Sequence, residues 1–111
     1  MISQGVGFGK GLTEKDLLAQ VKDYLKIKGV FFFRVHQSLG STPGIPDIIA
    51  IHPIDRRLMG LELKGAKGKL SPHQKNFLEA ITQAGGIGAE IRSVEDVEKL
   101  LENNEGGKHG S

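Results

Sequence analysis

Apolar residues recur at helical spacing after Thr13, with Leu17, Leu18, Val21 and Leu25 in line and Tyr24 beside them, the stripe of an amphipathic helix. Thr13 followed three residues later by Asp16 marks its start and Gly29 its end. Val30 to His36 is rich in β-branched and aromatic residues and predicts a strand. The glycines, prolines and hydroxyl residues from Gln37 to Pro46 predict a loop. Asp47–His52 and Leu58–Lys64 follow as strands around a turn at Pro53-Ile54-Asp55-Arg56, and Gly65 to Leu70 is a basic glycine loop. Ser71-Pro72-His73-Gln74 opens a second helix with a hydroxyl cap, a proline in the first turn and a glutamine three residues on. Its stripe is Phe77, Leu78, Ile81 and Ala84, and Gly85-Gly86 stops it. Ile87–Ile91 reads as a short strand, and Ser93 with Asp96 caps a last helix carrying Val94, Val97, Leu100 and Leu101. The expected order is α-β-β-β-α-β-α, a mixed sheet flanked by helices.

Two of these strands break the pattern. Asp47 opens a run of branched apolar residues that reads as a buried strand. In the next strand Glu62 and Lys64 alternate with Leu61 and Leu63, so the strand period of two sets carboxylate and ammonium side by side on one face. Buried charge is costly unless it is paired or binds a metal. Two carboxylates beside a lysine are the parts needed to hold a divalent cation and steady a reacting phosphate.

At 111 residues the chain has room for one domain, and 38% hydrophobic with 25% charged is the balance of a globular protein. No stretch reaches the roughly 20 apolar residues that span a bilayer. The first residues carry neither a basic n-region nor an apolar h-region, so the expected location is the cytoplasm. The absence of cysteine excludes disulfides and thiolate metal sites. The net charge of +2 is small, but its distribution is uneven. Arg56 to Lys75 holds six basic residues against one acid, and Ser93 to Glu105 holds five acids against one base, which suits a polyanion approaching one side. Residues 1–12 read as a flexible glycine-bearing arm, 13–102 as the domain, and 103–111 as a polar, disordered tail. Gly5-Val6-Gly7-Phe8-Gly9 has no strand before it and is set aside as a phosphate loop.

The element order, Pro46-Asp47 and Glu62-Leu63-Lys64 together resemble the PD-(D/E)XK, restriction-endonuclease-like fold. More narrowly, Gly44-Ile45-Pro46-Asp47, the Glu62-Leu63-Lys64 strand and Leu70-Ser71-Pro72-His73-Gln74 look like the VRR-NUC family, over about residues 13–101. The resemblance implies a metal-dependent, structure-selective DNA endonuclease acting on branched DNA, similar to Holliday-junction resolvases. Stand-alone members resemble phage or prophage enzymes, which implies the cytoplasm of a bacterium or infected host cell. A homodimer is expected from the small size, the resemblance and apolar helix stripes that one small sheet would not cover.

Asp47 and Glu62 are hard oxygen ligands suited to Mg²⁺ or Mn²⁺, and the Leu63 carbonyl lies between the two functional side chains as a third donor. A cation there would polarise the scissile phosphate and acidify water. Lys64 would orient that water or neutralise phosphate charge in the transition state. Glu14 fits the family's helical acid, reaching the metal directly or through water, although acids also favour first turns for the helix dipole alone. Gln74 fits a family glutamine that reaches into the site, yet Ser71-x-x-Gln74 is also a capping box, and one side chain is not expected to serve both. Lys67 and Lys69 are expected on DNA phosphates, and Arg34 in the cleft. His36, His52 and His73 read as structural or surface residues. No base-reading helix or zinc finger is discernible, so substrate choice by shape is expected. The alternative is a non-catalytic DNA-binding module with a nuclease fold; a protein-interaction domain using the acidic last helix is a third reading.

Overall fold

The computed structural model describes residues 12–36 and 42–102. The expected arm up to residue 11, residues 37–41 of the expected loop, and the expected tail from 103 onward lie outside the described residues. The order is α1 (Glu14–Ile27), β1 (Phe32–Arg34), β2 (Ile48–Ile51), β3 (Leu58–Leu63), α2 (Pro72–Gln83), β4 (Ile87–Ile91) and α3 (Val94–Glu102). Type and order match the α-β-β-β-α-β-α expectation. One four-stranded sheet runs β1-β2-β3-β4. Its first two pairings are antiparallel and the β3–β4 pairing is parallel, which is why α2 must cross over between β3 and β4.

The caps behave as their residues require. The Thr13 side chain accepts a hydrogen bond from the Asp16 amide at 3.0 Å, and Gly29 leaves α1 at φ +70. The apolar stripe of α1 buries Leu17, Val21 and Leu25 against Ile48, Ala50, Met59, Leu61 and Leu63 of the sheet and Val97 of α3. The helix α2 covers the opposite face and lies close to it. A Cβ on Gly88 would stand 2.3 Å from the Leu78 carbonyl oxygen, so only glycine admits the helix there. Both faces of β3 are therefore covered, and Met59 to Leu63 is buried throughout. Among the described residues no helix is long and apolar enough to cross a membrane.

The structure trims three expectations. The Val30–His36 strand shrinks to Phe32–Arg34, because Val30 is spent on the helix exit, its amide donating to the Leu25 carbonyl at 3.0 Å. Ala84 is not on the buried stripe of α2; it is the C-cap and is exposed. Asp47 and Lys64 stand one residue outside β2 and β3, but their backbones continue the ladders. The Asp47 carbonyl accepts from Val35 N at 2.8 Å, and Lys64 N donates to Ile91 O at 3.0 Å.

Candidate active site

The site grows from the β2–β3 register. Ile48 pairs with Leu61, so one further step sets Asp47 opposite Glu62 with both side chains on the same face. Asp47 Oδ2 accepts a hydrogen bond from Leu63 N at 2.8 Å, tying its carboxylate to the strand between Glu62 and Lys64. Glu62 is only 2% exposed. Its Oε2 accepts from Gln74 Nε2 at 2.9 Å and lies 3.7 Å from Lys64 Nζ. Its Oε1 is buried with no hydrogen-bond partner among the described residues. Burial, and next the negative charge of Asp47, push the Glu62 carboxyl up to about 8; Lys64 pulls it down, while the close approach of the Asp47 carboxyl and the charge of Glu14 raise it further. Two acids forced together in a dry place hold a proton that neither would keep in water.

That arrangement fits a divalent cation. An orphaned carboxylate oxygen, a second carboxylate opposite it and the Leu63 carbonyl between are hard oxygen donors, and a cation would relieve the repulsion that lifts the Glu62 titration. Glu14 is not gathered into the same cluster. Among the described residues no group of three or more His, Cys, Asp or Glu side chains is arranged to hold a metal ion. Glu14 instead shares the wall of a cavity of about 530 Å³ with Arg34, Asp47, Leu63 and one flank of α1.

Gln74 corrects an expectation. Its Oε1 accepts from Ser71 N at 2.8 Å and its amide donates to Ser71 Oγ at 3.1 Å, a complete capping box. The same side chain turns its Nε2 onto Glu62. A glutamine can do both because its carbonyl oxygen and its NH₂ point opposite ways. The start of α2 packs on the loop that leads into Pro46-Asp47 because Gly44, at φ +80, has no side chain: a Cβ there would meet the His73 carbonyl oxygen at 2.3 Å.

Arg92 was not singled out by sequence, and it organises the basic loop. Its Nη1 donates to Gly65 O at 2.9 Å, its Nη2 to Gly68 O at 2.7 Å and its Nε to Glu90 Oε2 at 2.7 Å. The turn so held follows Lys64 directly and leaves Lys67 and Lys69 exposed. No local pattern could have found this contact, since it joins residues 24 and 27 positions apart. His52 is fully buried and takes no part in the site; His36 and His73 are exposed.

Fold and site together define a small α/β domain of the nuclease type, with two acids facing across antiparallel strands and a lysine two residues beyond the second. The family model for the VRR-NUC domain matches residues 3–95, and the chain belongs to that family. A solved structure described as a VRR_NUC domain protein superposes with a TM-score of 0.67 at 19% identity, covering 85% of this chain and 88% of its own. Another, described as a VRR_NUC domain, gives 0.64 at 24% identity, covering 82% of this chain and 97% of its own. At those identities the likeness is one of fold. No curated protein matches the chain.

Proposed function

We propose that this protein is a divalent-metal-dependent DNA endonuclease of the PD-(D/E)XK type, cutting phosphodiester bonds in branched DNA as a two-fold homodimer in the cytoplasm. The observation that carries the reading is the buried, unpartnered Oε1 of Glu62 facing Asp47. A fold tolerates such a pair where a ligand completes it. Asp47, Glu62 and the Leu63 carbonyl would hold Mg²⁺ or Mn²⁺, which supplies charge at the scissile phosphate and acidifies water. Lys64, 12% exposed and anchored near Glu62, is held where its ammonium can meet charge that develops on the phosphate. Gln74, bonded to Oε2, fixes the Glu62 carboxylate and leaves Oε1 for the cation. Lys67 and Lys69 add phosphate contacts that carry no sequence preference.

Support for the dimer comes from the sheet edge. Phe31 and Phe33 lie 68% and 50% exposed beside the edge strand β1, their rings 6.4 Å apart in an edge-to-face pair. A two-fold axis would present two such sites to the opposed strands of a branch. A non-catalytic DNA binder would gain by losing the two acids, which repel phosphate. Nicking of plasmid and of a four-way junction with Mg²⁺, Mn²⁺ or EDTA tests the reading, with sedimentation at micromolar concentration for the assembly. Metal-dependent paired cuts by a dimer are expected. No cleavage with either metal would sink the enzyme, and a monomer cutting both strands would sink the dimer.

A further inference from the structure

The cavity beside Asp47 extends away from the two facing acids, along α1. Its helical wall is Glu14, Lys15, Leu18, Ala19 and Lys22. At 100° per residue these five fall on one continuous flank, next to the buried Leu17-Val21-Leu25 stripe. The opposite wall carries Arg34 from β1, and Leu18, Ala19 and Leu63 make an apolar floor. Lys15, Lys22 and Arg34 have no ion-pair partner among the described residues. The negative groups that line it are Asp47, at the end where a cation would sit, and Glu14.

We propose that this groove binds a short single-stranded stretch of DNA continuous with the scissile phosphate, its backbone held by Lys15, Lys22 and Arg34. The assignment rests on the nuclease reading for what the strand is, and on the groove for how it is held. The charge pattern decides the class of ligand: Lys15, Lys22 and Arg34 outnumber Glu14 once a metal neutralises Asp47, a balance that fits a polyanion. Size decides the strandedness. A space of about 530 Å³ is that of a small-molecule site, and it takes on the order of two nucleotides, not a double helix. Span decides that more than one phosphate is met. Lys15 and Lys22 stand seven residues apart, roughly 10 Å along the helix axis, or about three nucleotide rises of one strand. The aliphatic floor suits sugar and base without reading sequence, and no aromatic platform lines it.

Fluorescence anisotropy of a labelled 12-nucleotide single strand and its duplex, in EDTA, tests the groove without requiring cleavage. The comparison pair is Lys15→Ala/Lys22→Ala against Lys28→Ala/Lys99→Ala, which removes the same charge elsewhere. Lys15 and Lys22 lie within α1 and Lys99 within α3, where alanine raises helix propensity, and Lys28 is the exposed C-cap of α1, so folding is retained. The groove variant is expected to bind the single strand at least about fivefold more weakly and to flatten the salt slope by about 1.4. The control pair should stay near the parent, and Arg34→Ala should weaken binding in the same direction. Equal losses in both pairs, an unchanged groove variant, or a loss confined to the duplex would overturn the assignment. Failure of the full chain to cut DNA with any metal would undo the enzymatic reading and leave this binding result standing.

Discussion

Among the described residues two polar side chains are buried, His52 and Glu62, and they are buried differently. His52, 0% exposed, has both ring nitrogens engaged. Nε2 meets the Leu100 carbonyl of α3 at 3.1 Å, and Nδ1 accepts from the amides of Ile54 and Asp55 at 3.2 and 3.4 Å. The ring therefore carries its proton on Nε2 and staples the β2–β3 turn to the end of α3. Glu62, 2% exposed, has one oxygen satisfied by Gln74 and the other by nothing, with a second acid opposite. A buried group whose every hydrogen bond is made stabilises the fold. One left short, beside a like charge, weakens the fold and is poised for something that arrives later.

The widest separation between the two should come from single substitutions. Glu62→Gln keeps shape and removes the charge; cleavage is expected to fall to background, while the metal-free protein at pH 8 becomes more stable. Asp47→Asn, which can still accept from Leu63 N, should do the same to cleavage. His52→Ala should behave in reverse, losing about 2–4 kcal/mol from a cavity and unpaired backbone groups and keeping its turnover per folded molecule. Urea unfolding alongside plasmid nicking reads both. A Glu62→Gln protein that still cuts, or one less stable than the parent at pH 8, would erase the distinction drawn here.

The next effect is smaller and appears on the pH axis. The Glu62 carboxyl rises from 4.5 to about 8 in the fold, so between those values the folded protein holds a proton that the unfolded chain has released. Stability is then fully present below pH 4.5 and declines as pH rises through 8, by on the order of a few kcal/mol across the window. The decline should vanish in Glu62→Gln and shrink with saturating Mg²⁺ or Mn²⁺, which binds the ionised pair. Urea midpoints of parent and variant between pH 5 and 9, in EDTA, measure it. Parallel curves would show that the acids do not share their burial.

Much of this was legible along the chain. Periodicity and caps identified all seven elements, because each helix begins at a hydroxyl residue and the strands keep a period of two. The facing of Glu62 and Lys64 followed from that same period, and Pro46-Asp47 marked the other half of the site. What was hidden depended on depth and distance. Nothing in the sequence says that Glu62 would be only 2% exposed, so its raised titration could not be read. Arg92 acts on Gly65 and Gly68 through a parallel crossover, beyond any local pattern. The brevity of β1 reflects the competition of the helix exit for Val30. Gln74 demands a choice between cap and site only when the two ends of its side chain are counted as one group.

The smallest effect concerns how Gln74 is held. The Ser71 backbone amide donates to the carbonyl end of that side chain and the Ser71 hydroxyl oxygen accepts from the Gln74 backbone amide, so the NH₂ end is left aimed at Glu62. Ser71→Ala removes only the hydroxyl half and should cost about 1 kcal/mol of stability, as losses of an N-cap do. Through the looser start of α2 it should slow cleavage by only a few-fold, with DNA affinity unchanged. Ser71→Asp, also a good N-cap, should restore the stability and most of the rate. Melting curves and single-turnover rates on one nicking substrate compare the three proteins. If Ser71→Ala lost stability and cut at the parent rate, the cap would serve the helix alone, and Gln74 would hold Glu62 without help. If rate and stability fell and returned together, the same few atoms that begin a helix would also orient the carboxylate left short of a partner.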